Sequence, residues 1–178
     1  MFFMYYFEMR VIIMAKIYIL GPVGSGKTTL SKKLSRELNI RHYELDKVIW
    51  KFHPDGDIRR TNKEIEKIFL DIISNNDWII ENVGKENFNE GFKKADTIIY
   101  LKISKIVLYK RIIFRWIKQN LKIEKTTYKP NIKMLRQMIM WAKKDLENSK
   151  LNKLEEYKKK VIILNRKSMK KYKYRKEV

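Results

Sequence analysis

Apolar residues follow two rhythms along this chain, and their order predicts the architecture. Short apolar runs occur at Lys16–Leu20 (KIYIL), Trp78–Ile80, Thr97–Ile103 (TIIYLKI) and Val161–Leu164, with a more mixed run at Arg41–Leu45 that ends at Asp46. Runs of this length with little alternation predict strands buried on both faces, the pattern of a parallel sheet. Between them the spacing becomes helical. Leu30, Leu34 and Leu38 repeat every four residues within Lys27–Leu38, and Ile65, Ile68, Phe69 and Ile72 share one face behind the capping-box pair Thr61 and Glu64. Leu108–Leu121 and Ile132–Leu146 are two further amphipathic helices. Strands alternating with helices imply βαβ units, hence an α/β fold of three layers (α/β/α) with about five parallel strands. Ligands of such sheets lie beyond the carboxyl ends of the strands, which is where the loop after Leu20, Asp46 and Glu81 fall.

Two segments interrupt the alternation. Lys47–Arg60, with its Pro54-Asp55-Gly56 turn, is expected to make an excursion over the sheet, and Glu124–Pro130 breaks the chain between the two long helices. The domain is expected to run over residues 14–165. Residues 1–13 precede Met14 in the stretch MFFMYYFEMRVIIM, where Met4, Met9 and Met14 are alternative starts, and are expected to be an over-extended start or a loosely attached arm. Residues 166–178 form a basic, tyrosine-interleaved tail.

The chemistry is concentrated after the first strand, in Gly21–Thr29 (GPVGSGKTT). Gly21, Gly26, Lys27 and Thr28 supply G-x-x-x-x-G-K-[ST] between a predicted strand and a predicted helix, the context that a phosphate-binding loop requires. The four fixed positions should coincide by chance in roughly one chain in a few hundred of this length. Background glycine does not explain the match either, because only 6 glycines occur in 178 residues and Gly21, Gly24 and Gly26 are three of them. Such a loop turns its N–H groups toward an anion and ends at a helix N-terminus, which favours negative charge. The expected ligand is ATP or GTP. Gly21, Pro22, Val23, Gly24, Ser25, Gly26, Lys27, Thr28 and Thr29 would cradle it, with Lys27 on the β- and γ-phosphates and the Thr28 hydroxyl on a bridging Mg2+. Asp46 and Glu81 are the strand-terminal carboxylates that could assist at the metal. Asp46 has a second possible role as the base that takes a proton from an acceptor hydroxyl.

Cations supply the rest of the expected site. Arg111 and Arg115 stand four apart on one helix, with Lys118 and Lys122 continuing the stripe, and two convergent arginines on a cover would neutralise a transferring phosphoryl group. Arg59 and Arg60, in the excursion, are the candidates for gripping an anionic acceptor. Trp50 and Phe52 lie where a flat ring could stack, whereas Tyr43 and Trp78 read as core; His42 and His53 lack metal-ligand spacing.

Composition narrows the alternatives. With 44% hydrophobic and 34% charged residues the chain reads as one folded domain, and no apolar run is long enough to cross a bilayer. The absence of cysteine excludes disulfides and thiolate metal sites and is consistent with a cytoplasmic setting. A net charge of +21 invites a nucleic-acid partner, but the lysines are spread over helices as solvated surface, so a small-molecule phosphoryl acceptor is the favoured partner and no membrane is expected.

Together, GPVGSGKTTLSKKLS, HYELDKVIW, GDIRR, WIIEN and RIIFRWIK resemble the small adenylate-kinase-related P-loop proteins often labelled DNA topology modulation protein. The resemblance covers about Met14 to Leu164. It implies strand order 2-3-1-4-5, an acceptor-binding excursion after the second strand and a short helical lid after the fourth. It also matches Arg111 and Arg115 to the lid R-x-x-x-R and Arg59 or Arg60 to the acceptor-side arginine. The expected activity is that of an ATP-dependent, magnesium-using kinase of a nucleoside, nucleotide or alcohol; the alternative is a nucleic-acid-associated NTP-binding regulator. No N-K-x-D, D-x-x-G or L-S-G-G motif directs the reading to a regulatory GTPase or a transporter ATPase.

Overall fold

The computed structural model describes residues 14–51, 53, 56–82, 88–126, 128–147 and 154–175. The expectations for residues 1–13, Phe52, the Pro54-Asp55 half of the turn and residues 176–178 lie outside the described residues. In chain order the elements are β1 (Lys16–Leu20), α1 (Lys27–Leu38), β2 (His42–Glu44), α2 (Leu45–Ile49), β3 (Trp50–Lys51), β4 (Ile58–Arg59), α3 (Asn62–Ser74) and β5 (Trp78–Asn82). There follow α4 (Glu90–Lys94), β6 (Thr97–Leu101), α5 (Lys105–Asn120), α6 (Ile132–Glu147), a 3-10 turn (Glu155–Lys160), β7 (Val161–Leu164) and α7 (Arg166–Lys171).

Five strands pair in parallel in the order β2-β5-β1-β6-β7, which is 2-3-1-4-5 when they are counted along the chain. Alternation along the strands divides the core into two layers. Tyr18, Leu20, Trp78, Ile80, Ile98 and Tyr100 face α2, α3 and α4, where Leu45, Phe69 and Phe92 meet them. Ile17, Ile19, Ile79, Ile99 and Leu101 face the other way, onto Leu30 and Leu34 of α1, Leu108 of α5 and Met169 of α7. Every one of those strand residues is nearly inaccessible, which accounts for the unbroken apolar runs. Ile112 of α5 with Met138 and Ala142 of α6 form a third, small cluster that joins the two long helices.

Several local expectations need correction. The second strand stops at Glu44, and Leu45–Ile49 turns helical because Leu45, Val48 and Ile49 bury one face at helical spacing; Asp46 therefore stands in the first turn of α2, not at a strand end. The fourth sheet strand ends at Leu101, two residues early, although the Lys102 N–H still donates to the Leu164 carbonyl. Helix α5 ends at Asn120 and Lys122 adopts a left-handed conformation (φ 57), so Lys122 leaves the predicted stripe. The described part of the basic C-terminal segment is folded: Asn165 caps α7 through the Lys167 and Ser168 N–H groups, Met169 enters the core, and the Lys33 ammonium donates to the Tyr172 carbonyl at 2.7 Å.

Candidate nucleotide site

The loop between β1 and α1 is shaped by what lies against it. Gly21 passes so close to β6 that a Cβ there would come within 2.9 Å of the Leu101 Cβ. Gly26, at φ 99, caps α1 in a conformation that glycine adopts without penalty, and its carbonyl accepts the Leu30 N–H. These two constraints curl the loop and aim the start of α1 at whatever occupies it.

Lys27 folds back across this curl. Its ammonium donates to the Gly21 carbonyl at 2.8 Å and the Pro22 carbonyl at 3.0 Å. Burial pulls its pKa from the ordinary lysine value down to about 8, opposed by the charges of Glu81, Asp145 and Asp46 and assisted by Arg115. Lys27 is thus a cation held at reduced proton affinity, with three carboxylates within electrostatic reach.

Beside it, the Thr28 hydroxyl donates to Glu81 Oε1 at 2.8 Å, and the Ser31 hydroxyl reaches Glu81 Oε2 at 3.4 Å. Glu81 is buried in β5, between β2 and β1, and its carboxylate lies against the first turn of α1. Burial pushes the Glu81 pKa up, and the Thr28 hydrogen bond and the Lys27 charge hold it back. Its neighbour Asn82, also buried, donates to the Tyr18 hydroxyl at 2.9 Å and anchors the end of that strand.

The predicted arginines come from α5. Arg111 Nη1 donates to the Ser25 carbonyl at 2.6 Å and to Gly24 O at 3.4 Å, gripping the loop's outer carbonyls. Burial lowers its pKa below the usual arginine value, and the nearby Arg166 adds to the effect. One turn on, Arg115 lies against Met138 of α6 and near enough to Lys27 to be felt electrostatically. Lys118 is exposed at the far end of the helix.

The structure does not bring the excursion arginines to this loop. Arg60 donates to the carbonyls of Lys47, Val48 and Trp50 at 2.8, 3.1 and 3.0 Å, pinning α2 to the β3–β4 hairpin. Arg59 is exposed and bonds Asn62. Arg60 also lines, with Arg41, Glu44, Lys47 and Asp71, a cavity of about 420 Å³ to which no phosphate-loop residue contributes. Asp46 is exposed on α2, within electrostatic reach of Lys27. Trp50 is partly exposed on the hairpin, and Trp78 is wholly buried.

One residue of the site escaped the sequence reading. Asp145, in the last turn of α6, accepts the Val23 N–H at 3.2 Å across 122 residues of sequence. Its only signal in the sequence is a carboxylate beside Lys143 and Lys144 near the end of a long helix, where the helix dipole favours cations.

Residues 17–124 match the family model described as AAA domain. A shikimate kinase of Blochmanniella floridana is 28% identical over 100 residues, covering 49% of this chain and 54% of that protein. A shikimate kinase of Legionella pneumophila (strain Corby) is 27% identical over 110 residues, covering 54% and 62%. The matches thus span little more than half the length of those relatives. Among solved structures, a shikimate kinase from Bacteroides thetaiotaomicron superposes with a TM-score of 0.55 at 18% identity over 89% of this chain and 94% of that one. A gluconokinase from Sinorhizobium meliloti 1021 gives 0.50 at 13% over 85% and 82%. At these identities the superpositions speak for the fold, an α/β P-loop architecture.

Proposed function

The chain belongs to the AAA domain family, and on that premise we propose that it is an ATP-dependent phosphotransferase acting on a small molecule that carries a hydroxyl group. The observation that carries this reading is the convergence on one loop of the Lys27 ammonium, the paired Thr28 hydroxyl and Glu81 carboxylate, and Arg111 and Arg115 from a separate helix. Phosphoryl transfer needs little covalent chemistry from the protein. It needs the phosphates fixed and the charge that spreads over the transferring group neutralised.

In this reading the loop N–H groups of Gly21–Thr29 and the Lys27 ammonium hold the β- and γ-phosphates. Arg115, on a helix that reaches over the loop, stabilises the transferring group, while Arg111 holds the loop carbonyls in place. The oxygen pair of Thr28 and Glu81 fits a magnesium ion, which takes one or two carboxylates and leaves its other positions to water and phosphate. Among the described residues no cluster of three or more acidic, histidine or cysteine groups could hold an ion alone, which suits a metal that arrives with its nucleotide. When bound, magnesium would supply positive charge against the phosphates. In this reading Asp46, exposed on α2 and within electrostatic reach of Lys27, would take the proton of an acceptor hydroxyl, and Arg59 and Arg60 belong to the segment that would frame that acceptor.

The resemblance to shikimate kinases supports a small-molecule alcohol as acceptor and supports a kinase over a nucleic-acid-associated regulator. The folding of Arg166–Lys171 onto the core also removes much of the loose basic tail on which the regulator reading drew. The test is ATP consumption by the purified protein against a panel of polyols, cyclic hydroxy acids, nucleosides and nucleoside monophosphates, with Lys27→Ala as control. Turnover with one acceptor, lost in the variant, is the expected result; tight nucleotide binding without acceptor-dependent turnover would overturn the kinase reading.

A further inference from the structure

The phosphate loop already holds an anion. The Asp145 carboxylate sits on the Val23 N–H, one of the loop's own donors, and its charge raises the proton affinity of Lys27, the loop's own cation. Nothing in the local sequence favours this placement. Asp145 occupies the last turn of α6, where carbonyl dipoles repel a carboxylate, and the tether draws together residues 122 positions apart. The cost is offset by the loop donor and by the Lys27 cation, groups that a nucleotide triphosphate would claim.

We propose that Asp145 is a positioning residue of the nucleotide site: a resident anion that ties α6 to the phosphate loop and that the triphosphate displaces when it binds. The proposal rests on the nucleotide-binding part of the function proposed above and does not depend on the acceptor. Its physical basis is competition. An incoming polyphosphate takes up the loop N–H groups and Lys27, and an uncompensated carboxylate at the same loop then meets like charge in a partly enclosed site, where such repulsion is strong. Nucleotide binding therefore works against the α6 tether, and by reciprocity the tether weakens nucleotide binding. The groups that face Lys27 are Glu81 from β5, Asp46 from α2, Asp145 from α6 and Arg115 from α5. Of the three carboxylates, Asp145 alone is carried by one of the packed helices α5 and α6, so its release is the one that can be transmitted to that helix pair.

A purely structural role for Asp145 predicts the opposite sign from displacement, which makes the test direct. Binding of ADP and of a non-hydrolysable ATP analogue, each with Mg2+, is measured by calorimetry for the wild type, Asp145→Asn, Asp145→Ala and Asp145→Glu. Asn and Ala, which remove the charge, are expected to tighten binding of the triphosphate analogue at least about fivefold, the lower end of usual coupling between sites. Glu, which keeps the charge, is expected to stay near the wild type. Amide exchange provides a reading that needs no variant to fold: in the wild-type protein the last turn of α6, residues 143–147, should exchange faster with the analogue bound than without it. Weaker binding in Asn and Ala, or an α6 end more protected when nucleotide is bound, would overturn the proposal. Wild-type protein that binds no nucleotide would overturn it together with the nucleotide site, whereas binding without phosphoryl transfer would overturn the kinase reading alone.

Discussion

The two sides of the proposed site are built differently. On the nucleotide side the protein engages the phosphate loop from several elements: Lys27 on the Gly21 and Pro22 carbonyls, Arg111 on those of Gly24 and Ser25, Asp145 on the Val23 N–H, and Glu81 on Thr28. The elements behind it are the central strands of the sheet, buried on both faces. On the acceptor side, the excursion is a five-residue helix and two two-residue strands, all exposed residues in the strands, closed chiefly by the three carbonyl contacts of Arg60. A loop that must hold one invariant chemical group, a polyphosphate, can be rigid and preorganised. A segment that selects one acceptor among many is free to differ in length and side chains as long as it closes over the site.

The largest effect that can break this contrast is at Lys27. Lys27→Ala is expected to lower acceptor-dependent turnover by roughly 10³-fold, measured as steady-state ATP consumption, because one preorganised donor on the transferring group commonly carries that much. Arg115→Ala should follow, with kcat reduced by about 10²-fold and nucleotide affinity changed far less, since its proposed work is on charge that develops during transfer. Equal losses in kcat and in nucleotide binding would place Arg115 on the resting phosphates instead.

The pH dependence sharpens the same side. Lys27 releases its proton near pH 8 in the folded protein and only near its ordinary value of 10.5 in the unfolded chain, so between those values the unfolded state binds more protons. The contribution of this group to stability therefore rises with pH across that window, while nucleotide affinity falls, because phosphate prefers the charged lysine. The expected observation is proton uptake on nucleotide binding above about pH 8, read by calorimetry in two buffers of different ionisation enthalpy, with affinity falling by up to about tenfold per pH unit. In Lys27→Met both trends should disappear.

On the acceptor side, Arg60→Ala leaves three carbonyls without their shared donor and is expected to raise the acceptor KM by about tenfold while leaving the nucleotide Kd unchanged. A parallel change in both constants would show that the two sides are one unit.

The same division governs what could be read from the chain. The parallel sheet, α1 and the phosphate loop were legible because they rest on local signals: apolar runs, a four-residue leucine repeat and a spaced glycine-lysine motif; the strand order came only from the family resemblance. Glu81 was legible as a carboxylate at the end of a buried run, and the pairing of β5 with β1 together with the packing of α1 on the sheet brings it to Thr28. The excursion was legible only as an interruption, because the choice between extending β2 and turning into α2 is decided by where Val48 and Ile49 find core to bury against. The partners of Arg60 are backbone carbonyls, which have no sequence identity to recognise. Asp145 was out of reach for a third reason: its partner is a loop N–H far away in the chain, and only the packing of α6 on α5 brings them together. The contacts of Asp145 and of Arg60 are thus both tertiary facts, while the phosphate-loop motif is a local one.

The smallest effect bears on where the two sides meet. Thr61 follows Arg60 directly and caps α3: its hydroxyl and N–H both donate to the Glu64 carboxylate, and its Oγ1 accepts the Glu64 N–H at 3.3 Å. The cap fixes the exit of the excursion to a helix whose Ile65, Phe69 and Ile73 are core. Thr61→Ala should cost about 1 kcal/mol, the usual worth of an N-cap, read as a drop of a few degrees in Tm. The hydrogen bonds from Thr61 hold the Glu64 carboxyl below the usual carboxylate range, so its contribution is present above the unfolded value and lost as pH falls through the folded one. The variant should therefore lose less stability on acidification than the wild type. If the excursion is anchored chiefly by Arg60, the acceptor KM of Thr61→Ala stays within about twofold of the wild type, since an exposed cap mainly affects its own first turn. A KM shift as large as that of Arg60→Ala would instead make α3, and through it the sheet, part of the acceptor grip.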